Sequence, residues 1–519
     1  MTGRAHQVPE EMTTFAQVIR THARVRPDAP ALTFEGRTQS FADLHAASSR
    51  AANLLCAMGV GEGDRVAVLC RNRPDYIELL MGCSKIGAIL VGLNWRLAPA
   101  EISAILKASR PVVVLHGAEE SALLTDEARD RIAHVLSLDT DYPARRDAAS
   151  EADPGHIGAP GEPVLLLYTS GTTGLPKGVT LTNANMAYTY RLATEAWGMS
   201  DASVNLVAMP LFHIGGCGYG SSTMMAGGHT ILMKEVDCDR AVALMQRHRV
   251  THAFFVPTVV QGLLRVEGVG EADLSAMELL MYGAAPIGDV LLSKAMKVFD
   301  CGFMHAYGMT EAAGTVVTLP PADHALEGKK SRLLKSCGRP LPWVELRVID
   351  PDSGVDADPG KPGEIWLRSG MITPGYWLNP EATAEAITED GWFRTGDAAY
   401  LDEDGHVFLF DRFKDMIISG GENIYPAEIE NALNAHDGIA ECAVIGVAHD
   451  KWGETPLAVI VPKQGADLTE TGIIEFCRGH IARYKCPSRV AFVETLPRNA
   501  SGKVQKHVLR DRFREPQDA

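Results

Sequence analysis

Between Tyr168 and Val179 the chain reads Tyr-Thr-Ser-Gly-Thr-Thr-Gly-Leu-Pro-Lys-Gly-Val. Four hydroxyls (Thr169, Ser170, Thr172, Thr173), the glycines Gly171 and Gly174, and Lys177 are packed into this one string. Glycines let backbone N–H groups turn toward an anion, hydroxyls add donors and the lysine adds charge. The chemistry such a string can do is to grip a polyphosphate. The Gly-Lys-Ser/Thr close of the common P-loop is absent, and a solvated Gly/Thr turn is the plain alternative.

Other residues with chemistry stand further on. Glu311 ends Tyr307-Gly308-Met309-Thr310-Glu311, Asp397 ends Gly391–Asp397 in a Gly-Asp turn, and Lys503 closes Pro-Arg-Asn-Ala-Ser-Gly-Lys from Pro497. A carboxylate in such a turn can accept both hydroxyls of a ribose, as acidic residues do in dinucleotide folds. His213 lies in Pro210-Leu-Phe-His-Ile-Gly-Gly, where glycines leave room for a ligand. Taken singly, a turn carboxylate, a lone histidine and a loop lysine are each more often structural or solvated.

The elements that must position these residues alternate. An apolar run at Val164–Leu167 reads as a buried strand feeding the phosphate string. Residues 15–60 carry helical periodicity. Asp64–Leu69 reads as a strand, Asp75 to Ile86 as a helix, and Ile89–Gly92 and Val112–Leu115 as strands, which predicts an α/β fold with largely parallel sheets. Residues 140–160 read as a surface loop. Thr251–Pro257 reads as a strand entering a loop. Leu279–Ile287 and Met304–Glu311 are strand-to-turn passages, placed where open α/β sheets take their ligands. Gly363–Thr383 and the hairpin Asp402–Asp411 are β-rich and antiparallel. Beyond Asp411–Glu430 a compact α+β unit is expected: a helix at Pro426–Asn434, strands at Ala443–Val447 and Leu457–Val461, a helix at Thr471–Ile481 and a strand at Val490–Val493.

The whole is therefore expected to be α/β, with a large N-terminal domain of stacked α/β sheets plus a β-rich subdomain over residues 1–413. A small mobile α+β C-terminal domain is expected over 414–519. A chain of 519 residues exceeds one compact core, and 46% apolar with 22% charged content is ordinary for a soluble protein. The net charge of −16 argues against general affinity for nucleic acid or anionic membrane. Ten scattered cysteines with no Cys-x-x-Cys fit neither a zinc site nor a disulfide framework. With no apolar leader at the N-terminus and no run of membrane-spanning length, a cytoplasmic protein without stable membrane insertion is expected. A homodimer is left open.

The phosphate string resembles that of the adenylate-forming superfamily: acyl-CoA synthetases, luciferases and peptide-synthetase adenylation domains. Six blocks occur in that family's order, between about residue 15 and residue 510. The resemblance implies that Thr169, Ser170, Gly171, Thr172, Thr173, Gly174 and Lys177 hold the β- and γ-phosphates of ATP. It implies that Gly283, Ala284, Ala285, Tyr307, Gly308 and Thr310 line the adenine side, and that Asp397 and Arg412 take the ribose. Glu311, with Thr169, would hold Mg²⁺, since a carboxylate beside a triphosphate needs a cation between them. Lys414 occupies the hinge position and Lys503 that of the mobile catalytic lysine.

An acid–CoA ligase follows from the same resemblance, with ATP, Mg²⁺ and coenzyme A as cofactors and a small-molecule carboxylic acid as partner. The acyl pocket is expected at His213, Gly215, Phe254, Val256, Met281, Met309, Ala313 and Gly314. Its apolar or small walls predict a hydrophobic monocarboxylic acid, a fatty acid foremost, with aryl or polycyclic acids fitting the same composition. Coenzyme A would meet Gly420, Gly421, Trp452 and Arg96. Where some relatives carry two basic residues after an aromatic, this chain has Tyr484-Lys485-Cys486, leaving Arg483, Lys485 and Arg489 as loose phosphate candidates. Loading of a carrier-protein thiol is the competing reading.

Overall fold

The computed structural model describes residues 8–169, 176–285, 287–351, 353–412, 415, 417–419, 422–424, 426–449, 452–481, 483–498 and 504–513. Two large sheets carry the N-terminal domain. One has six strands, in the order His134–Ser137, Val113–His116, Arg65–Leu69, Ile89–Leu93, Pro163–Thr169 and Lys177–Thr182. All its pairings are parallel except the last, the hairpin that carries the phosphate string.

The other has nine strands, and its central members Leu279–Gly283, His252–Phe255, Val204–Val207 and His229–Leu232 are parallel. Strands buried on both faces read as unbroken apolar runs, which is why Val-Leu-Leu-Leu from Val164 was legible as a strand. Between the sheets one core joins Val66, Val68, Leu90 and Leu167 of the first to Val207 and Leu232 of the second. Leu44, Leu55, Leu79, Leu80, Met224 and Met225 join it from the helices Phe41–Ala57, Pro74–Ser84 and Ile214–Met225.

A four-stranded antiparallel sheet follows, in the order Glu345–Ile349, Gly363–Arg368, Phe393–Leu401 and Val407–Arg412. The smaller C-terminal domain has its own five-stranded sheet and its own core of Ile417, Ile424, Ile429, Leu433, Val444, Ile460 and Ile473. Its first long helix spans Pro426–Asn434, with the limits expected from the sequence. Among the described residues no helix is long and apolar enough to cross a membrane.

Three expectations are corrected. The helical periodicity of 15–60 is interrupted by the hairpin Pro30–Phe34 and Arg37–Ser40, which closes the edge of the nine-stranded sheet. Its two turn residues, Glu35 and Gly36, both take positive φ (49° and 78°), the twist a two-residue hairpin needs. The stretch read as surface loop contains the helix Asp141–Ala148, anchored by the fully buried Tyr142 and by Arg146, whose guanidinium lies 2.8 Å from the Glu78 carboxylate. After His252–Phe255 the chain enters the helix Pro257–Leu263 instead of a loop, with proline at its first turn, where no N–H is missed.

Candidate active site

The strands Pro163–Thr169 and Lys177–Thr182 pair antiparallel, with Thr169 opposite Lys177, so the two ends of the phosphate string are held side by side. Ser170–Gly174 lie outside the described residues. Gly178 is required by its neighbour: a Cβ there would stand 2.9 Å from the Tyr168 ring.

The strand after the string is strapped by residues 375–377. Trp377 N–H donates to the Gly178 carbonyl at 2.7 Å and Thr180 N–H to the Gly375 carbonyl at 3.1 Å. This strap presents Tyr376. Its ring lies 5.1 Å from Lys177 Nζ, and its hydroxyl donates to Glu311 Oε1 at 3.2 Å.

Glu311 sits in the short 3-10 turn Thr310–Ala312 that ends the strand Gly302–Met309. Its carbonyl accepts from Thr373 N–H at 2.7 Å. The turn is closed by Ala313 and Gly314, with φ of 51° and 127°. One phenol thus ties the lysine of the phosphate string to the carboxylate expected at the metal. Carboxylate and hydroxyl oxygens are the hard donors Mg²⁺ takes. Glu311 and Thr169, bracketed through Tyr376 and Lys177, fit that ion in donor chemistry.

A second phenol does the same for the ribose side. Tyr307 Oη donates to Asp397 Oδ2 at 2.7 Å, and Asp397 N–H donates to Thr395 Oγ1 at 3.0 Å. Burial, together with the neighbouring Asp397 carboxylate, pushes the Tyr307 hydroxyl well above its ordinary range, so it stays protonated as the donor. Asp397 pairs in register with Arg412 across the antiparallel sheet.

Tyr307→Phe is expected to weaken ATP binding at least about tenfold, roughly the worth of one hydrogen bond to a charged group, with the fold unchanged. Nucleotide titration beside a melting curve checks this. An unaltered ATP affinity would show that the phenol does not orient Asp397.

Gly283 and Gly308 owe their identity first to backbone crowding. A Cβ on Gly283 would lie 2.1 Å from the Ala306 carbonyl oxygen, and one on Gly308 would lie 1.9 Å from that of Gly314. Ala284 is exposed at the strand's carboxyl end in the left-handed region (φ 64°), next to the half-buried Ala285. Thr310 is buried.

On the acyl side, His213 caps the helix Ile214–Met225: its Nδ1 accepts from Gly215 N–H at 3.1 Å. An accepting Nδ1 puts the ring proton on Nε2, and burial lowers the pKa of this ring, which favours the neutral form. A Cβ on Gly215 would lie 3.4 Å from both His213 Nδ1 and Phe254 Cε1, so these three residues converge. Phe254, Met281 and Met309 share one apolar cluster, while Ala313 belongs to the core between the sheets. Gly314 faces Leu192, 3.9 Å from where a Cβ would stand. Val256 is buried.

Of the expected coenzyme residues, Arg96 and Trp452 are among those described. The Arg96 guanidinium lies 4.8 Å over the Trp95 ring, which Arg71 also approaches at 4.5 Å. Trp452 is 46% exposed. Lys485, a loose phosphate candidate, makes 2.7 Å contacts to both carboxylate oxygens of Glu428. Lys414, Gly420, Gly421 and Lys503 lie outside the described residues, as does the side chain of Arg412.

Sequence reasoning missed Tyr376, Thr373 and Thr395. For Tyr376 the available signal was an aromatic directly after Pro374-Gly375, inside a block read only as β-rich.

Residues 19–377 match the profile of the AMP-binding enzyme family, and residues 428–503 match that of the AMP-binding enzyme C-terminal domain. A fatty acid–[acyl-carrier-protein] ligase, ScoC, of Streptomyces coeruleorubidus is 38% identical over 510 residues, covering 97% of each chain. A feruloyl-CoA synthase of an Amycolatopsis species is 39% identical over 494 residues, 95% of this chain and 97% of the relative. The crystal structure of ATP-bound MatB from Rhodopseudomonas palustris superposes with a TM-score of 0.88 at 31% identity, covering 96% of this chain and 99% of that one. The hairpin that carries the phosphate string, the strand-end glutamate and the turn aspartate thus stand in a chain that belongs to the AMP-binding enzymes of the adenylate-forming superfamily.

Proposed function

We propose that this enzyme is an AMP-forming acid–thiol ligase that joins a hydrophobic monocarboxylic acid to coenzyme A at the expense of ATP. A free carboxylate is a poor acyl donor because its leaving group would be oxide. In the first step a carboxylate oxygen attacks the α-phosphorus of ATP and pyrophosphate leaves. In the second the coenzyme thiol attacks the mixed-anhydride carbonyl, the C–S bond forms, AMP leaves and the thiol proton passes to solvent. The first step joins two anions, so the protein contributes chiefly positioning and charge stabilisation.

In this reading Thr169–Gly174 and Lys177 hold the terminal phosphates. Asp397, oriented by Tyr307, accepts the ribose hydroxyls together with Arg412. Gly283, Ala284, Ala285, Gly308 and Thr310 border the adenine. Glu311 and Thr169 would hold Mg²⁺, which would offset phosphate charge. Lys503 stabilises charge building between carboxylate and α-phosphate. His213, Gly215, Phe254, Val256, Met281, Met309, Ala313 and Gly314 bound the acyl group.

We place the domain division at 413/414 with Lys414 as the hinge. Gly420, Gly421, Trp452 and Arg96 would meet the coenzyme after rotation of the small domain. A glycine pair there leaves a channel free of side chains.

The observation that carries the reading is the Tyr376 bridge between Lys177 and Glu311, which holds a cationic and an anionic group together as a polyphosphate with its cation would need them. The likeness to the fatty-acid and feruloyl ligases supports an acid with an apolar body. The carrier-protein name of the Streptomyces relative keeps a second acceptor in view.

The test is thioester formation with ATP and Mg²⁺ across short and long fatty acids and aryl acids. Coenzyme A thioester with any of them supports the reading. Pyrophosphate release without thioester would move the acceptor to a carrier protein, and no release with any acid would overturn the assignment.

A further inference from the structure

Behind Phe254 the apolar cluster contains two polar groups with nothing to bond. Trp197 and Tyr219 are 6% and 5% exposed, and neither the indole Nε1–H nor the phenol Oη has a hydrogen-bond partner among the described residues. Their rings form a row with Phe254: Trp197 to Tyr219 at 5.5 Å and Tyr219 to Phe254 at 5.6 Å between centroids, each pair tilted. Phe254 in turn stands beside Gly215 and His213.

Trp197 is delivered by an unusual element, the π-helical turn Leu192–Ala196, in which Trp197 N–H reaches back to the Leu192 carbonyl at 2.9 Å. Such turns recur at functional sites, where they re-aim a side chain that a regular helix would place elsewhere. Leu192 itself lies opposite Gly314, so the π turn borders one of the acyl residues.

Buried tyrosine and tryptophan ordinarily find a partner for the polar atom, and leaving one unmade costs stability. Among the described residues the phenols of Tyr76, Tyr142 and Tyr168 and the indole of Trp377 are also unpartnered, but Tyr76 and Tyr142 belong to the core between the sheets and Tyr168 and Trp377 to the cluster on the other face of the six-stranded sheet. Trp197 and Tyr219 are distinguished by being neighbours in one aromatic row whose last ring, Phe254, stands beside Gly215 and His213. An indole can only donate, while a phenol can donate or accept. Their common complement is an oxygen atom carried on a body that stacks against aromatic rings. A methyl-ended alkyl chain offers no such atom.

We propose that the acid activated here bears an oxygen substituent on an aromatic ring, remote from its carboxylate, and that Trp197 Nε1–H and Tyr219 Oη are the specificity-determining groups that receive it. This rests on the acid-activating reading of the site and narrows its substrate class from the fatty acid expected first to an oxygenated aryl acid.

The test compares 4-hydroxycinnamate with cinnamate, and 12-hydroxydodecanoate with dodecanoate, by pyrophosphate release from the full-length enzyme with ATP and Mg²⁺. The expected result is kcat/KM at least about tenfold higher for 4-hydroxycinnamate than for cinnamate, since a site built to bond an oxygen discriminates strongly against its absence. Tyr219→Phe and Trp197→Phe should each reduce that ratio to about three or less. A purely structural role would lower both acids equally. Melting curves accompany both variants, and Tyr219→Phe, which removes only an unpaired hydroxyl, is expected to fold as the parent does.

A wild-type ratio near one, as when a resident water satisfies both groups, overturns the proposal. So does a preference for dodecanoate or confined to 12-hydroxydodecanoate, or a ratio unmoved in both variants. Absence of pyrophosphate release with all four acids and with the wider panel overturns the ligase reading itself, an outcome distinct from activity with the wrong preference.

Discussion

Lys503→Ala is expected to lower adenylate formation by roughly 10²–10³, the usual loss when a donor aimed at developing transition-state charge is removed. Thioester formation from a supplied acyl-adenylate should fall far less, by no more than about tenfold. The asymmetry follows from where charge builds. A carboxylate approaching an α-phosphate gathers negative charge that an ammonium between the two can offset, whereas the thiol step starts from a neutral carbonyl and releases AMP. Lys503 is assigned by its motif, but the base of its loop is structurally defined. Gln505 N–H donates to the Pro497 carbonyl at 2.8 Å, Arg498 bridges Val504, and the Arg498 guanidinium reaches Glu441 at 2.9 Å. Pyrophosphate release and thioester yield, measured separately on the purified variant, check this. Equal damage to both would refute the domain-rotation account.

Much of the scaffold was legible because buried parallel strands and amphipathic helices announce themselves locally. The strand Ile89–Leu93 and the helix Pro426–Asn434 need no knowledge of their neighbours to be found. The hairpin after Pro30 was hidden because Glu35, where asparagine or glycine would be the signal, takes the left-handed turn position. The helix Asp141–Ala148 was hidden because Asp, Pro and Ala suggest a loop until Tyr142 finds the interior.

In the candidate site, the residues proposed to touch ATP were picked out by contiguous motifs. The groups that hold them were not. Tyr307 reaches Asp397 across 90 positions and Tyr376 reaches Glu311 across 65. No local period reports such a contact. The unpaired hydroxyl of Tyr219 was equally invisible, because an unmet hydrogen bond exists only once the surrounding chain has closed over it.

The Tyr376–Glu311 contact sets up the second large effect. Glu311→Gln preserves shape and can still accept from the Tyr376 hydroxyl through its amide oxygen, so the turn Thr310–Ala312 and its Thr373 contact should persist. What is lost is one negative charge beside the phosphate string, where it would balance a divalent cation. Adenylate formation is expected to fall by roughly 10²–10³, in line with loss of a preorganised charge in a dry site. The concentration of Mg²⁺ for half-maximal pyrophosphate release should rise at least about tenfold, since a neutral amide oxygen is the weaker ligand. Tyr376→Phe is the graded control: it keeps the Glu311 charge, removes one hydrogen bond of about 1.5 kcal/mol, and should cost only about tenfold. Pyrophosphate release titrated with Mg²⁺ for the parent and both variants, beside melting curves, separates the cases. If Glu311→Gln matched the parent at every Mg²⁺ concentration, the carboxylate would be a structural acceptor for Tyr376 and no metal ligand. If the two variants lost activity equally with unshifted Mg²⁺ dependence, the phenol's hold on the turn, not the charge, would be what the reaction needs.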